Sequence, residues 1–316
     1  MKNGVILGID TSNYTTSVAL MSLGGELIAN LKRPLPVKAG ERGLRQSDAV
    51  FSHIKNLPDI MNEAREILGE GEIVAVGVSE RPRNQDGSYM PCFLSGVAAA
   101  ESAALASHAP LYRFSHQCGH IMAAIYSSGD DSLLSGEFAA FHVSGGTTEL
   151  LRVTPEGAAF RAELVGGTAD LNAGQVIDRI GVLMGLAFPA GAHMEALAKQ
   201  NETPIPRKKP SMKGLEISLS GLENLAEKLF RESGDSALTS AFVFDYIGRA
   251  LTMLTEGYTL KYGISPVLYA GGVMSNSIIK GMLSSVCGAR FAEPALSSDN
   301  AVGIAALARR AFLKEV

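Results

Sequence analysis

Two histidines four residues apart, His116 and His120, are the residues of this chain best suited to chemistry. On a helix that spacing puts both imidazoles on one face, within reach of a single metal ion. Two helix-surface histidines have the same spacing, so the pair needs a further ligand before it means a metal site. Asp299 is the candidate, in Ser297-Ser298-Asp299-Asn300 ahead of a helix with the apolar stripe Ala301, Ile304, Ala305, Ala308 and Phe312. A carboxylate in a first helical turn is held ionised by the helix dipole, which suits a ligand, and it serves equally as an ordinary N-cap. Two histidines and one carboxylate leave coordination positions open to a substrate, as Zn²⁺ and non-haem Fe²⁺ sites require. A zinc-peptidase reading lacks its base, because Gln117 follows His116 and there is no H-E-x-x-H.

Three glycine-containing turns form a second set: Ser144-Gly145-Gly146-Thr147, Phe188-Pro189-Ala190-Gly191, and Gly271-Gly272-Val273-Met274-Ser275-Asn276. Such turns present backbone N–H groups and hydroxyls to phosphates, although strand-to-helix turns also need glycine for purely backbone reasons. Asp178 sits mid-helix after Gly174, where it is either a hydroxyl acceptor or a solvated helix aspartate. Between Asn201 and Lys213, three prolines alternate with Arg207, Lys208, Lys209 and Lys213. That stretch reads as an exposed basic loop, the best local candidate for a phosphate contact, or as a solvated loop whose prolines stop a helix.

The elements that must position these residues follow from periodicity. Val5 to Asp10, Thr15 to Met21 and Glu26 to Lys32 predict a three-strand meander with a hairpin at Leu23-Gly24-Gly25. Ser47 is the expected cap of a long helix with Val50, Ile54, Leu57 and Met61 on one face. A strand at 73–78, a helix at 94–107, a short strand at 110–115 and a helix from His116 follow. The order then begins again, with strands at 138–143, 148–153 and 159–164. Asp10-Thr11-Ser12 followed by Thr15-Thr16-Ser17 has its counterpart in Ser144-Gly145-Gly146-Thr147-Thr148. A degenerate repeat of this kind describes the α/β, actin-like (ASKHA) architecture of two related lobes, each a mixed sheet flanked by helices, with polar turns facing a cleft. The expected lobes are 1–133 and 134–297, with a C-terminal helix, 298–316, packing back on the first.

Composition limits the partners. A chain of 316 residues, 46% hydrophobic, exceeds the usual size of one domain. Three cysteines without a C-x-x-C pair build neither a disulfide framework nor a cysteine-rich zinc site, which fits a reducing cytoplasm. The apolar run that opens the chain is too short for a signal peptide or a membrane span. A formal net charge of −4 argues against a protein that grips nucleic acid by overall charge, so any RNA contact must use local patches or partner subunits.

Taken in order, these motifs resemble the TsaD family of tRNA threonylcarbamoyl transferases, formerly called O-sialoglycoprotein endopeptidases. Leu7-Gly8-Ile9-Asp10-Thr11-Ser12 is similar to the family's G-I-E-T-S, His116-x-x-x-His120 to its histidine pair, and Val143-Ser144-Gly145-Gly146 to V-S-G-G-H. Ala173 to Arg179 resembles A-G-E-A-F-D-K, Ser218 to Leu222 resembles F-S-F-S-G-L, Gly271 to Asn276 resembles G-G-V-x-x-N, and Ser298 to Ala301 resembles S-D-N-A. The resemblance implies that His116, His120 and Asp299 hold one divalent metal, Zn or Fe. It implies that Ser144, Gly145, Gly146, Thr147, Asp178, Gly191, Gly272 and Asn276 hold an adenine nucleotide or threonylcarbamoyl-AMP. The implied partners are tRNA and other tRNA-modification subunits. Thr147 stands where the family has histidine, Gln175 where it has glutamate and Arg179 where it has lysine. The T-x-G-P-G-L loop and V-P-E-x-A-S-R segment are replaced, although His53 keeps the place of the histidine that follows the latter. These departures describe a diverged paralogue, for which the alternative role is a catalytically weakened scaffold or regulatory subunit.

Overall fold

The apolar run from Gly4 ends at the polar Thr11-Ser12 turn and forms the first, wholly buried strand. The computed structural model describes residues 4–12, 14–36, 44–263, 266–296 and 300–315. The elements in chain order are β1 (Gly4–Asp10), β2 (Thr15–Ser22), β3 (Leu27–Pro34), α1 (Gln46–Leu68), β4 (Glu72–Arg81), α2 (Phe93–Ser107), β5 (Leu111–Ser115) and α3 (His116–Ser128). They continue with β6 (Phe138–Val143), β7 (Thr148–Glu156), β8 (Ala159–Thr168), α4 (Ala173–Leu183), α5 (Gly191–Ala198), β9 (Ser211–Lys213), β10 (Glu216–Ser218), α6 (Ser220–Ser233) and α7 (Ser236–Tyr262). The last are β11 (Val267–Ala270), α8 (Ser277–Leu283), β12 (Ala289–Phe291) and α9 (Val302–Glu315).

Two compact units emerge, one of Met1–Asp131, Thr154–Ala162 and Ser298–Val316, the other of Ser132–Val153 and Glu163–Ser297. The first contains a five-stranded sheet in the order β3-β2-β1-β4-β5. β1 runs antiparallel to β2 and parallel to β4, and β4 is parallel to β5. The second sheet is β12-β11-β6-β7-β8-β10-β9. Read as β8-β7-β6-β11-β12, its first five strands reproduce the order of the first sheet, so the repeat visible in the sequence is a repeat of topology. β10 and β9 extend the edge beyond β8.

In the first unit α9 lies directly on the sheet because the strands opposite it are bare. A Cβ on Gly8 would come within 2.7 Å of Ala301 O and Ala305 N, and one on Gly77 within 2.7 Å of Ala308 Cβ. Gly303 of α9 meets α3 so closely that a Cβ there would lie 1.8 Å from Gly119 O. Small residues thus set the depth of α9 and, through it, the position of the histidine-bearing helix.

Two expectations need correction. Ser47 lies inside α1, which starts at Gln46 with Arg45 at the N-cap position and no side-chain cap. Its inward face is Ala49, His53, Leu57, Ile60 and Ala64, while Ile54 is 57% exposed. The phase is set by small Ala49 and Ala64 and by His53, whose Nδ1 is 2.8 Å from Thr16 Oγ1 on β2. Of the expected stripe, Leu57 is buried and Met61 packs partly buried against the core, whereas Val50 and Ile54 give way to Ala49 and His53. The basic stretch is also shorter as a loop than expected, because Ser211–Lys213 pairs with β10 as an edge strand.

Candidate functional site

α3 starts immediately after β5, and Ser115 Oγ accepts the Cys118 N–H at 3.2 Å as its N-cap. His116 therefore occupies the first helical position and His120 the next turn on the same face. Their Nε2 atoms are 2.9 Å apart, with ring centroids 4.3 Å apart and planes at 76°. The other nitrogen of His116, Nδ1, is 2.7 Å from Asp10 Oδ2. Asp10 ends β1, is 1% exposed, and accepts the Ser12 N–H on Oδ1 at 2.8 Å. Burial alone would raise its pKa, but the His116 charge and the hydrogen bonds from His116 and Ser12 hold the carboxyl well below the usual carboxylate range. Once His116 is neutral, an ionised Asp10 fixes its remaining proton on Nδ1 and turns the Nε2 lone pair toward His120.

Two converging imidazole nitrogens, one backed by a buried carboxylate, fit a divalent cation such as Zn²⁺ or Fe²⁺. Asp299 lies outside the described residues. Among the described residues, no group of three or more His, Cys, Asp or Glu side chains stands close enough to hold a metal. The observed cap at the start of α9 is Asn300, whose Oδ1 accepts the Val302 N–H at 2.9 Å. Asp10 was visible in the sequence as part of the opening motif. Its role as the partner of His116 was not, since the two are 106 residues apart.

In the second unit a chain of contacts joins the expected nucleotide residues. The turn after β6 closes with Ser144 N–H donating to Thr147 O at 2.7 Å. Gly174, in the first turn of α4, packs on it so closely that a Cβ would lie 2.7 Å from Gly145 Cα and Ser144 O. Asp178, one turn further, accepts the Ala190 N–H at 2.8 Å and so fixes the segment that leads into Gly191 and α5. Glu195 of α5 accepts the Ser277 N–H at 3.1 Å and its hydroxyl at 2.6 Å, tying α5 to the start of α8. Asn276 Oδ1 accepts the Ile278 and Ile279 N–H groups at 3.1 and 3.0 Å and caps that helix. Gly271, with φ +105°, returns the chain against Val143 of β6.

Within this frame the glycines divide sharply. Among the described residues, a Cβ on Gly145, Gly146 or Gly272 would meet nothing within 4 Å, and one on Gly191 would meet only Ile177 Cγ2, at 3.9 Å. None of the four has a left-handed φ. Neither backbone conformation nor packing requires glycine at these positions, and each leaves bare backbone facing open space. Bare backbone of this kind leaves room for another molecule to approach closely.

The structure also gives roles to residues whose types looked chemical. Gln175 is the N3 residue of a capping box on α4, its Oε1 accepting the Asn172 N–H at 2.9 Å. Asp178 and Asn276 each hold a helix start through Oδ1, and among the described residues Asp178 Oδ2 and the Asn276 amide nitrogen make no hydrogen bond. Asp170, absent from the sequence expectations, accepts hydrogen bonds from the Ser218 and Ser220 hydroxyls, both at 2.6 Å, and from Leu219 N–H at 2.8 Å. Burial opposes its ionisation, but these donors hold its carboxyl well below the usual range. It anchors the Ser218-Leu219-Ser220-Gly221 turn, and the serine spacing was the available signal.

Comparison with known proteins settles the family. The profile of TsaD, tRNA N6-adenosine threonylcarbamoyltransferase, matches residues 38–306. The chain belongs to the TsaD family. The tRNA N6-adenosine threonylcarbamoyltransferase of Bacillus licheniformis is 29% identical, covering 100% of this chain and 94% of its own length. That of Streptococcus agalactiae serotype V is 30% identical, with 90% of this chain and 84% of the relative covered. Among solved structures, T. kodakarensis HypF aligns with a TM-score of 0.61 at 13% identity over 99% of this chain, which spans about half, 48%, of HypF. A ROK family glucokinase from Streptomyces griseus aligns at 0.51 and 13% identity, covering 98% of this chain and 100% of the kinase. These likenesses show the TsaD-family chain to have the actin-like ASKHA fold. Among the described residues, no helix is long and apolar enough to cross a membrane.

Proposed function

We propose that this TsaD-family chain transfers a threonylcarbamoyl group from threonylcarbamoyl-AMP to the N6 amine of an adenosine in tRNA, using one divalent metal. The observation that carries the reading is the convergence of His116 and His120 at 2.9 Å, with Asp10 fixing the tautomer of the first. It is supported by the family of the chain and by relatives named tRNA N6-adenosine threonylcarbamoyltransferase. His116 and His120 would hold the metal with Asp299, and Lewis-acid polarisation of a carbonyl is the chemistry that such an ion supplies.

The open backbone at Gly145, Gly146, Gly191 and Gly272 takes the adenylate, with Ser144 and Thr147 lending hydroxyls. Asp178 accepts from a ribose hydroxyl through Oδ2, since its Oδ1 is committed to Ala190 and a carboxylate repels phosphate. In the transfer, the N6 amine forms a bond to the carbamoyl carbon, the bond from that carbon to the phosphate oxygen breaks, and AMP leaves with its electron pair. The amine proton passes to solvent or to the departing phosphate. tRNA suits the acceptor role because bases in an RNA loop can be splayed into a site.

The replacement of the family's glutamate by Gln175 is compatible with this chemistry, because the side chain serves the α4 cap and an amide oxygen does so as a carboxylate would. The transferase reading is therefore preferred over the scaffold reading. The test supplies threonylcarbamoyl-AMP and unmodified tRNA to the metal-loaded chain and follows the nucleoside by mass spectrometry. Modified adenosine that disappears in His116→Ala supports it, and bound metal and nucleotide without any product would return the scaffold reading.

A further inference from the structure

The segment from Asn201 to Pro210 has no regular secondary structure, yet the fold holds it firmly. Asn201 Nδ2 donates to Thr203 O at 2.7 Å, and the Thr203 N–H returns to Asn201 Oδ1 at 3.2 Å. Pro210 is buried. Arg249 of α7 donates Nη1 to Lys208 O at 2.7 Å, while its Nε and Nη2 sit 2.9 and 2.7 Å from Asp245 Oδ2. Arg249 is thus neutralised by its own carboxylate and acts as a clamp on the loop backbone.

The clamp displays three consecutive cations. Arg207, Lys208 and Lys209 are exposed, and among the described residues none of them has an ion-pair partner. They line an open groove of about 680 Å³ whose floor includes Met253 of α7 and Met282 of α8. Glu256 is the single acid in its lining. Consecutive like charges repel one another, and a fold that anchors their backbone instead of letting them disperse maintains a concentrated positive field. A chain with a net charge of −4 has no general attraction for polyanions, so the field at this groove is local.

We propose that this groove docks the phosphodiester backbone of the RNA substrate, outside the residues that form the reacting site. Arg207, Lys208 and Lys209 meet successive phosphates, and the thioethers of Met253 and Met282 supply a soft apolar surface for sugar and base faces. The inference rests on the reading of tRNA as substrate but is tested separately from transfer.

The experiment measures binding of fluorescently labelled unmodified tRNA to the full chain by anisotropy across a salt series. The comparison is with the triple variant Arg207→Gln, Lys208→Gln, Lys209→Gln and the charge-keeping double variant Lys208→Arg, Lys209→Arg. All these side chains are exposed, so folding is preserved and is checked by circular dichroism. At about 0.7 log unit per contact per decade of salt, loss of three contacts weakens binding about 100-fold at 0.1 M salt and makes the log–log slope shallower by about 2. The arginine variant keeps both the affinity and the slope. An unchanged slope in the triple variant overturns the groove while leaving the transferase reading intact. Changed tRNA binding together with absent nucleoside modification keeps the groove and removes the transferase reading. A groove that loses binding of poly-glutamate but not of tRNA in the triple variant serves an acidic polypeptide, and this too overturns the proposal.

Discussion

His53 provides a quantitative test of the first unit, because among the described residues it is a histidine enclosed without a counterion in hydrogen-bonding contact. It is 0% exposed, its Nδ1 faces Thr16 Oγ1 at 2.8 Å, and Asn56 Nδ2 reaches the same hydroxyl at 3.2 Å. Burial drives its pKa from 6.5 down to about 4, against the opposing pull of the Asp10 charge. The folded state therefore keeps the ring neutral while the unfolded chain takes up a proton near its ordinary pKa. The contribution to stability is complete above about pH 6.5 and is lost as the pH falls through to about 4. A shift of that size corresponds to about 3 kcal/mol in full, at about 1.4 kcal/mol per unit, and to about 2 kcal/mol at pH 5. The perturbation is His53→Asn, whose amide reaches the place of Nδ1 and can keep the Thr16 contact while removing the titration. Urea unfolding of both proteins at pH 7.5 and pH 5 measures the change, and other titrating groups cancel in the difference. The original chain should lose about 2 kcal/mol more than the variant between the two values. Parallel losses would refute the account of His53 as a buried neutral base.

Four further substitutions have outcomes set by the contacts. Asp10→Asn should weaken binding of Zn²⁺ or Fe²⁺ by about 10- to 100-fold in a competitive chelator titration, as loss of a carboxylate behind a ligating histidine does elsewhere, and His120→Ala should abolish stoichiometric metal. Gly191→Ala should leave the unfolding midpoint unchanged, because its Cβ meets only one atom, while weakening AMP binding measured by calorimetry. Gly303→Ala, whose Cβ would lie 1.8 Å from Gly119 O, should cost about 3 kcal/mol in urea unfolding through forced separation of α3 and α9.

The fold was legible because the two meanders repeat both strand pattern and polar turn, and strand order then follows from repeating the same topology twice. What escaped was information carried by small or polar groups. The inward face of α1 follows Ala49, His53 and Ala64, and no hydrophobicity scale marks a histidine as the residue that sets register. β9, β10 and β12 span three residues each, too few for an alternating pattern to register. The histidine pair was legible from spacing alone, since four residues on a helix fix the geometry before any tertiary contact forms. Asp10 was not, because nothing local connects the end of β1 to the start of α3 until the sheet places β1, β4 and β5 side by side.

Gln175 has a local structural role that competes with a chemical reading of the residue. Read as a replacement for glutamate, it suggests a missing base and a silent enzyme. In the structure its oxygen accepts a backbone N–H at a helix start, which glutamate and glutamine both do and for which neither needs to take up a proton. Its position three residues beyond Asn172 follows the capping-box spacing, so the structural role was available from sequence and competes directly with the catalytic one. The same reasoning separates the glycines proposed to face the nucleotide from the packing glycines. Gly174 and Gly303 sit where a neighbouring backbone leaves no room, whereas Gly145, Gly146, Gly191 and Gly272 sit where the chain itself leaves room to spare. Open space alone is shared with Gly136, Gly221 and Gly281, so it is the placement of the four in the turns after β6 and β11 and at the start of α5 that supports the proposed nucleotide site.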